Sequence, residues 1–309
     1  MFTDFFYVLK NHGLNISTTE WLMLMDALDK DLAHSNFTDF YYLCRTILVK
    51  SEGDYDKFDI AFQEYFNDIK DNSFDMSKID VTAMGELLID FTENGISNQG
   101  NPLLEANPGG APCNVLSMLT NLGHSTAFIG KVGDDIFGEM LKERVSGLNI
   151  NIENLVTDKE VNTTLAFVHT AEDGDRSFSF YRNPGADMML RADEVNSELI
   201  ENSKIFHFGT LSMTHQGVRE ATIKALEVAK KSGCIISFDP NIREPLWDNM
   251  ENARTQVKKG LEYCNILKIS DNEIQWLTGE EDYSDGVQKI REKYDIDLIL
   301  VSMGKEGSR

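Results

Sequence analysis

Cysteine is scarce in this 309-residue sequence, and its placement is informative. The four cysteines are Cys44, Cys113, Cys234 and Cys264, and no two of them form a Cys-x-x-Cys pair. Zinc sites and thioredoxin-type redox motifs both need such close spacing, so the sequence offers neither. A disulfide framework is typical of short secreted chains, and this pattern argues against one.

Basic residues and long apolar runs are also scarce. The sequence has 29 Lys and Arg against 51 Asp and Glu, a formal net charge of −22 and a pI near 4.6. Such a chain lacks the positive field that holds nucleic acid or an anionic membrane surface, so we expect neither as a partner. No apolar run approaches the roughly 18 residues of a membrane span, and the opening MFTDFFYVLKNHG lacks the order of a secretory signal. These absences predict a cytoplasmic protein.

Glycine and proline are nearly absent from the first quarter. The first 78 residues hold 15 of the 30 aromatics, 2 of the 22 glycines and no proline. Ser17 and Glu20 form a capping-box pattern, and apolar residues recur at helical spacing. The pattern predicts a bundle of about four helices over residues 1–78, with the aromatic stripes as its core or, alternatively, with one stripe docking an unknown partner. The stripes are Phe2, Phe5, Phe6 and Leu9; Trp21, Leu24, Met25, Leu28 and Leu32; Phe40, Cys44, Ile47 and Leu48; and Tyr55, Phe58, Phe62 and Phe66.

Residues 79–309 alternate between short β-rich runs and amphipathic stretches. This spacing predicts an α/β domain with a mostly parallel sheet and helices on both faces. Two alternating segments, Thr163–His169 and Arg176–Arg182, flank a Glu-Asp-Gly-Asp turn signal and predict a hairpin lid over about 161–183. The predicted strands are Val81–Phe91, Ser125–Ile129, Ile205–Phe208, Cys234–Phe238, Ile266–Ile269 and Leu298–Ser302, and the predicted helices are Asn114–Leu122, Ile136–Ser146, His215–Ser232, Glu251–Tyr263 and Ser284–Tyr294.

Two glycine-containing motifs each lie between a predicted strand and a predicted helix. They are Asn107-Pro-Gly-Gly-Ala-Pro-Cys-Asn114 and Gly130-Lys-Val-Gly-Asp-Asp-Ile-Phe-Gly138. Glycines let backbone approach a ligand closely, and a helix start offers free N–H donors; a tight turn is the plainer interpretation. Neither motif is a P-loop or a convincing dinucleotide fingerprint.

Taken together, segments in residues 79–309 resemble the ribokinase-like (pfkB) carbohydrate kinases and, within them, the fructokinases. The matching segments, in family order, are GELLIDF, NPGGAPCNV, AFIGKVGDDIFG, RSFSFYRNPGADMML, IFHFGTLS, FDPNIREPLW, LKISDNEIQWLTG and LVSMGKEGS. The first 70 or so residues resemble the amino-terminal part of bacterial CoxE-like von Willebrand factor A domain-containing proteins, without the metal-binding A domain. The kinase resemblance implies ATP and Mg²⁺ as cofactors, a small sugar as substrate and possible dimerisation through the lid.

The resemblance implies a sugar site. Asp90, at the end of the first strand, would accept hydrogen bonds from two sugar hydroxyls, beside Gly109, Gly110 and Asn114. Phe180 and Arg182 on the hairpin would close over the sugar; the plainer alternative is an edge ribbon with Arg182 in solvent. Asn241 and Arg243 would lie past a strand end, with Arg243 offsetting charge on the transferred phosphoryl group.

The resemblance also implies a nucleotide side and exposes one departure. Ser270 and Glu273 match an Asn/Ser-x-x-Glu element on the nucleotide and magnesium side, while Ser302, Gly304 and Gly307 match the start of the phosphate loop. The family's Gly-Ala-Gly-Asp motif, which carries its catalytic base, does not occur in the sequence. We therefore expect ancestry in ATP-dependent phosphorylation of fructose, or of 2-keto-3-deoxygluconate, but no turnover by this chain and some exposed apolar surface. A sugar-binding remnant and a junction of two unrelated coding segments are the alternatives.

Overall fold

The computed structural model describes residues 3–30, 37–66, 78–170 and 176–309. The chain divides into two compact units, Met1–Ser77 and Lys78–Arg309. The predicted core residues Phe2 and Leu32, and the predicted lid turn at 172–175, lie outside the described residues. In the part of the chain that is described, no helix combines the length and apolar character needed to cross a membrane.

The described residues of the smaller unit form four helices, α1 (Thr3–Asn11), α2 (Thr18–Asp29), α3 (Phe37–Leu48) and α4 (Tyr55–Phe66). The predicted capping box is confirmed, because the Ser17 hydroxyl accepts from Glu20 N and the Glu20 carboxylate accepts from Ser17 N at 2.7 Å. The helical stripes meet in one buried cluster, which includes Phe5, Leu9, Leu24, Cys44, Phe58, Phe62 and Phe66.

Tyr55 departs from this pattern. It was predicted to share the core stripe of α4, but it is exposed and its ring lies 3.9 Å from the guanidinium carbon of Arg45. A tyrosine at the first residue of a helix can keep its polar edge in water and stack under a cation, which helical spacing alone does not reveal.

The larger unit is α/β, as predicted. In chain order its elements are β1 (Ile79–Met84), β2 (Leu88–Ile96), β3 (Pro102–Gly109), α5 (Ala111–Asn121), β4 (Thr126–Gly133), α6 (Ile136–Gly147), β5 (Asn151–Asp158), β6 (Leu165–Thr170), β7 (Arg176–Tyr181), α7 (Ser197–Glu201), β8 (Ser203–Gly209), α8 (Gln216–Lys231), β9 (Ile235–Asp239), α9 (Met250–Leu261), β10 (Ile266–Ser270), α10 (Asp271–Thr278), α11 (Tyr283–Lys293) and β11 (Leu298–Ser302).

Seven of the described strands form one parallel sheet in the order β11-β10-β9-β8-β1-β4-β5. Alternate residues of β4 enter different hydrophobic clusters: Phe128 and Val132 join one, Ala127 and Ile129 the other. Side chains of a strand point alternately to its two faces, so helices cover both faces of this sheet.

A second sheet, in the order β3-β2-β6-β7, forms the lid. The predicted pairing of residues 163–169 with 176–182 is confirmed, since β6 and β7 run antiparallel. The lid is larger than predicted, because β2 and β3 belong to it. β3 begins at Pro102 and contains Pro108; it lies at the sheet edge, where proline is tolerated, and prolines concealed it in the sequence.

The prediction of one strand over Val81–Phe91 is wrong. The chain leaves the large sheet after Met84 and enters the lid at Leu88, so the apolar run serves two sheets. Gly85, Glu86 and Leu87 make the connection. A continuous apolar run does not show where its hydrogen-bonding partners change, because pairing is decided between segments distant in sequence.

β11 is the outer strand of the large sheet. Leu298 and Leu300 on it are 44% and 42% exposed. Alternation along the strand places Ile299 and Val301 in the core instead.

Candidate active site

The carboxyl ends of neighbouring strands gather most of the predicted polar residues. Asn241 and Arg243 follow β9, while Ser270 ends β10 and Ser302 ends β11. These three strands are parallel neighbours, so their carboxyl ends lie along one edge. Ligands of open α/β sheets bind at this edge.

Asp90 lies in the lid, close to a glycine of the neighbouring strand. It is the third residue of β2 and pairs with Asn107, so the prediction that it ends the first strand is corrected. A Cβ built on Gly109 would lie 2.1 Å from Asp90 Oδ2, so any larger residue would require this carboxylate to move. Among the described residues, the Asp90 side chain accepts no hydrogen bond.

The charge of Arg243 acts on the Asp90 carboxyl, although 153 positions separate the two residues in the sequence. Partial burial raises the pKa of Asp90, and the positive charge of Arg243 opposes that rise. Within the described part of the chain Arg243 has no ion pair, and its guanidinium donates to the carbonyl oxygen of Ile242 at 3.3 Å. Its charge therefore remains available near Asp90.

The loop after β9 has an unusual backbone. Asn241 has a φ of +43°, in the left-handed region that asparagine tolerates better than most residues. The amide of the next residue, Ile242, donates to Glu273 Oε1 at 2.8 Å. The loop that carries Arg243 is thereby attached to the start of α10.

Glu273 is engaged through both carboxylate oxygens. Its Oε2 accepts from Ser270 N at 2.9 Å and from the Ser270 hydroxyl at 2.8 Å, and Ser270 is the N-cap of α10. In the described residues no group of three His, Cys, Asp or Glu side chains is arranged to ligate a metal ion. Glu273 therefore caps α10 and anchors the loop after β9.

Arg182 is placed differently from its prediction. It follows β7 directly and is buried rather than solvated, and its Nε donates to Asp187 Oδ2 at 2.8 Å. Its remaining nitrogens donate to Thr214 Oγ1 and to the carbonyl oxygen of Leu211, each at 3.0 Å. Protein partners occupy this donor fork, so Arg182 joins the lid base to the core.

The remaining predicted sugar-side residues lie on the lid and on α5. Phe180 is on β7, half-buried and stacked with Phe178 at a centroid distance of 5.9 Å. Gly110 is the N-cap of α5 with a φ of +130°, which favours glycine, and Asn114 is exposed on α5.

The predicted phosphate-loop residues form a tight turn after β11. Gly304 and Gly307 have φ values of +53° and +91°, and Met303 N donates to the carbonyl oxygen of Gly307 at 2.8 Å. Ser302 pairs with Ser308 in an antiparallel bridge. The positive φ angles explain why glycine occurs at both positions.

Sequence reasoning missed three charged groups beside this edge. Asp239 ends β9 and forms an ion pair with Lys268 at 3.1 Å; burial raises the pKa of Asp239, and Lys268 opposes the rise. Glu86, in the β1–β2 connection, is buried. Asp239 is the first residue of the Asp-Pro-Asn-Ile-Arg motif, so the sequence could have indicated it as a site residue. For Lys268 and Glu86 the sequence offers only their unusual position as charged residues within apolar segments.

The second glycine motif has a structural explanation. Asp135 accepts at Oδ1 from Gly138 N at 2.9 Å and at Oδ2 from Thr163 N at 2.7 Å. A Cβ on Gly138 would lie 2.0 Å from the carbonyl oxygen of Gly133. These glycines permit close packing where α6 meets the segment that leads into the lid.

The parallel sheet and the four-stranded lid sheet of the described residues match the architecture of the ribokinase-like class of sugar kinases. Residues 78–309 match the family model "pfkB family carbohydrate kinase", and residues 2–68 match "CoxE N-terminal helical bundle domain". The chain therefore belongs to the pfkB carbohydrate kinases.

Individual relatives agree with this assignment. Probable fructokinase-2 of Arabidopsis thaliana is 44% identical over 232 residues, covering 74% of this chain and 70% of that protein. Fructokinase of Xylella fastidiosa with bound ATP has a TM-score of 0.67 at 31% identity, covering 74% of this chain and 73% of the other. Fructokinase of Vibrio cholerae O395 in a fructose, ADP and calcium ion bound form has a TM-score of 0.68 at 30% identity, covering 75% and 73%.

Proposed function

We propose that residues 78–309 bind fructose at Asp90, in a site of the kind that pfkB kinases use for phosphoryl transfer from ATP to a sugar hydroxyl. The proposal depends on the Asp90 carboxylate. It has no hydrogen-bond partner among the described residues, and the positive charge of Arg243 lowers its pKa. Two carboxylate oxygens can accept from two neighbouring hydroxyls of a sugar. The fructose-bound Vibrio cholerae relative supports fructose as the first candidate.

Asp90 and Arg243 have different proposed roles. Hydrogen bonds to a charged group contribute about 1.5–3 kcal/mol each, so Asp90 supplies most of the polar affinity for the sugar. Arg243 keeps Asp90 ionised and offsets negative charge at the phosphoryl group as it transfers. Gly109, Gly110 and Asn114 complete the pocket, and Phe180 covers it from the lid.

On the nucleotide side, we propose that the glycine turn after β11 begins the site for ATP. The ATP-bound Xylella fastidiosa relative supports this assignment. Mg²⁺ would enter as the counterion of the ATP phosphates and is treated as part of that substrate. No base is assigned, since the 309 residues contain no Gly-Ala-Gly-Asp run.

Binding and turnover are separate claims and need separate measurements. Calorimetric titration of fructose into the 309-residue chain tests binding, and ADP release with fructose, ATP and Mg²⁺ tests turnover. Saturable binding that Asp90→Asn weakens at least about 10-fold would support the site. Undiminished binding by that variant would contradict it. ADP release above the sugar-free background would contradict the prediction that this chain does not turn over.

The same titrations bear on the alternatives. Preferential binding of 2-keto-3-deoxygluconate would change the substrate but retain the site. Binding without ADP release would favour a sugar-binding role. Dimerisation through the lid, a partner for the helical bundle and a cytoplasmic location remain predictions from the sequence; sedimentation of wild-type protein at several concentrations tests the first of these.

A further inference from the structure

Glu86 occupies an unusual position between the two sheets of the larger unit. It lies in the three-residue connection where the chain leaves the large sheet and enters the lid, and it is only 4% exposed. A carboxylate is costly to bury without partners, so its contacts need a reason. Its Oε1 accepts a hydrogen bond from the amide of Ala111 at 2.8 Å.

That amide belongs to the first turn of α5, which has no other side-chain cap. Gly110 is the N-cap and offers no side chain, and Pro112 supplies no amide hydrogen. Glu86 therefore caps the helix from a different segment of the chain. The positive end of the helix dipole also favours a carboxylate at this place.

Residues 85–87, which connect β1 to β2, pack closely against the turn of residues 109–111 and the start of α5 on both sides of this hydrogen bond. A Cβ on Gly110 would lie 2.3 Å from the Glu86 carbonyl oxygen, and one on Gly85 would lie 2.6 Å from Pro112 Cγ. Gly109, next in the turn, is the residue that lies against Asp90 Oδ2. Displacement of the turn therefore displaces the backbone beside Asp90.

We propose that Glu86 is a positioning residue for the sugar site, which holds the Gly109–Ala111 turn against the lid so that Asp90 keeps its binding geometry. The proposal rests on the proposed sugar-binding function and adds to it a residue that does not touch the sugar. It also explains why a carboxylate is kept in an otherwise apolar connection between two sheets.

The groups facing Glu86 allow its protonation to be followed. Burial raises the pKa of Glu86 to about 7, with Asp187 raising it further and Arg182 opposing. Arg182 and Asp187 pair with each other at 2.7 Å, and burial raises the pKa of Cys113, on α5, to about 11. Glu86 is thus the group of this cluster expected to change charge near neutral pH. Its ionised form is the stronger acceptor for the Ala111 amide.

The test compares wild type with Glu86→Gln, which keeps the shape of the side chain, and with Glu153→Gln on β5, an exposed glutamate, as the matched control. At about pH 8 we expect Glu86→Gln to bind fructose about 10-fold more weakly and the control to match wild type. Wild-type affinity should improve as pH rises through about 7, and this change should be absent in Glu86→Gln. A pH response shared by both proteins belongs to Asp90 instead.

Amide hydrogen exchange provides a measurement that needs no sugar. Peptides covering residues 107–116 should exchange faster in Glu86→Gln than in wild type, whereas Glu153→Gln should leave them unchanged. If wild type binds fructose, two results would overturn the inference while leaving the sugar site in place. One is equal exchange of these peptides in wild type and Glu86→Gln; the other is equal fructose affinity and an equal pH profile in the two proteins. A wild type that binds no fructose, with faster exchange in Glu86→Gln, would overturn the proposed function and reduce Glu86 to a structural cap.

Discussion

The carboxylate of Asp90 lies against the backbone of Gly109 on the neighbouring lid strand, so closely that a Cβ on Gly109 would be 2.1 Å from Oδ2. Gly109 precedes the helix start that Glu86 caps, and Asp90 is subject to the charge of Arg243. The Asp90 carboxylate on β2 is therefore affected by two other segments, the glycine turn at the start of α5 and the loop that carries Arg243.

This contact predicts the effect of Gly109→Ala. The new methyl group would push the Asp90 carboxylate from its place, and we expect fructose affinity to fall by at least about 10-fold. Gly147→Ala is the control, because nothing lies within 4 Å of a Cβ at that position and alanine favours the end of α6. Calorimetric titration measures the affinities. Equal weakening in both variants would show that the contact with Asp90 is not the cause.

Arg243 predicts a change in pH dependence. Its charge lowers the pKa of Asp90, so in Arg243→Gln that pKa should rise and the acid side of the fructose-binding profile should move to higher pH. Stability should change by no more than about 0.5 kcal/mol, because the guanidinium makes one hydrogen bond and no ion pair within the described residues. Fructose titrations across pH, with Arg191→Gln as control, measure the shift. An unmoved acid limb would show that Arg243 does not act on Asp90.

The Arg182–Asp187 pair predicts a loss of stability rather than a selective loss of binding. Both side chains are almost fully buried, and removal of one partner leaves the other uncompensated. We expect Arg182→Met to lower the free energy of unfolding by about 3–5 kcal/mol. Denaturant unfolding measures the change.

The exposed Arg191 offers the control for that prediction. Its side chain is 60% exposed and pairs with the exposed Asp193 and the half-buried Glu194; ion pairs of an exposed arginine contribute about 0–1 kcal/mol. Arg191→Met should therefore unfold nearly as wild type does. An Arg182→Met protein of wild-type stability that no longer binds fructose would restore the sugar-contacting role expected from the sequence.

Glu86 predicts a pH-dependent stability with a definite sign. Its pKa in the folded protein is raised from 4.5 to about 7, so its stabilising contribution is present below about 4.5 and is lost as pH rises through about 7. Glu86→Gln removes this loss, and between about pH 5 and pH 8 the variant should gain about 2.5 kcal/mol of unfolding free energy relative to wild type. Unfolding of both proteins at the two pH values measures the difference. A constant difference would contradict the burial of an ionising Glu86.

At high pH, Glu86→Gln is predicted to be more stable than wild type but to bind fructose more weakly. A residue that serves only the fold lowers stability when it is replaced, whereas Glu86→Gln should gain stability at high pH and lose affinity for fructose. Sites that hold a ligand often contain such groups, because the geometry that suits the ligand is not the most stable one for the empty protein.

The sequence by itself determined the family, the helical bundle and the alternation of strands and helices. Its motifs follow the order of the pfkB kinases, and local signals such as the Ser17–Glu20 capping box need no distant partner to be recognised. The loop after β9, with Asn241 and Arg243, was also predictable, because parallel strands bring their carboxyl ends to one edge.

Only the tertiary structure decided how those residues are used. Three features depend on groups brought together across space: the division of residues 81–91 between two sheets, the hydrogen bonds from Arg182 to Thr214 and Leu211, and the hydrogen bond from Ile242 to Glu273. Local sequence records which side chains can donate, accept or pack. Folding determines which partner each of them meets; it leaves Asp90 without a hydrogen-bond partner among the described residues and buries Arg182.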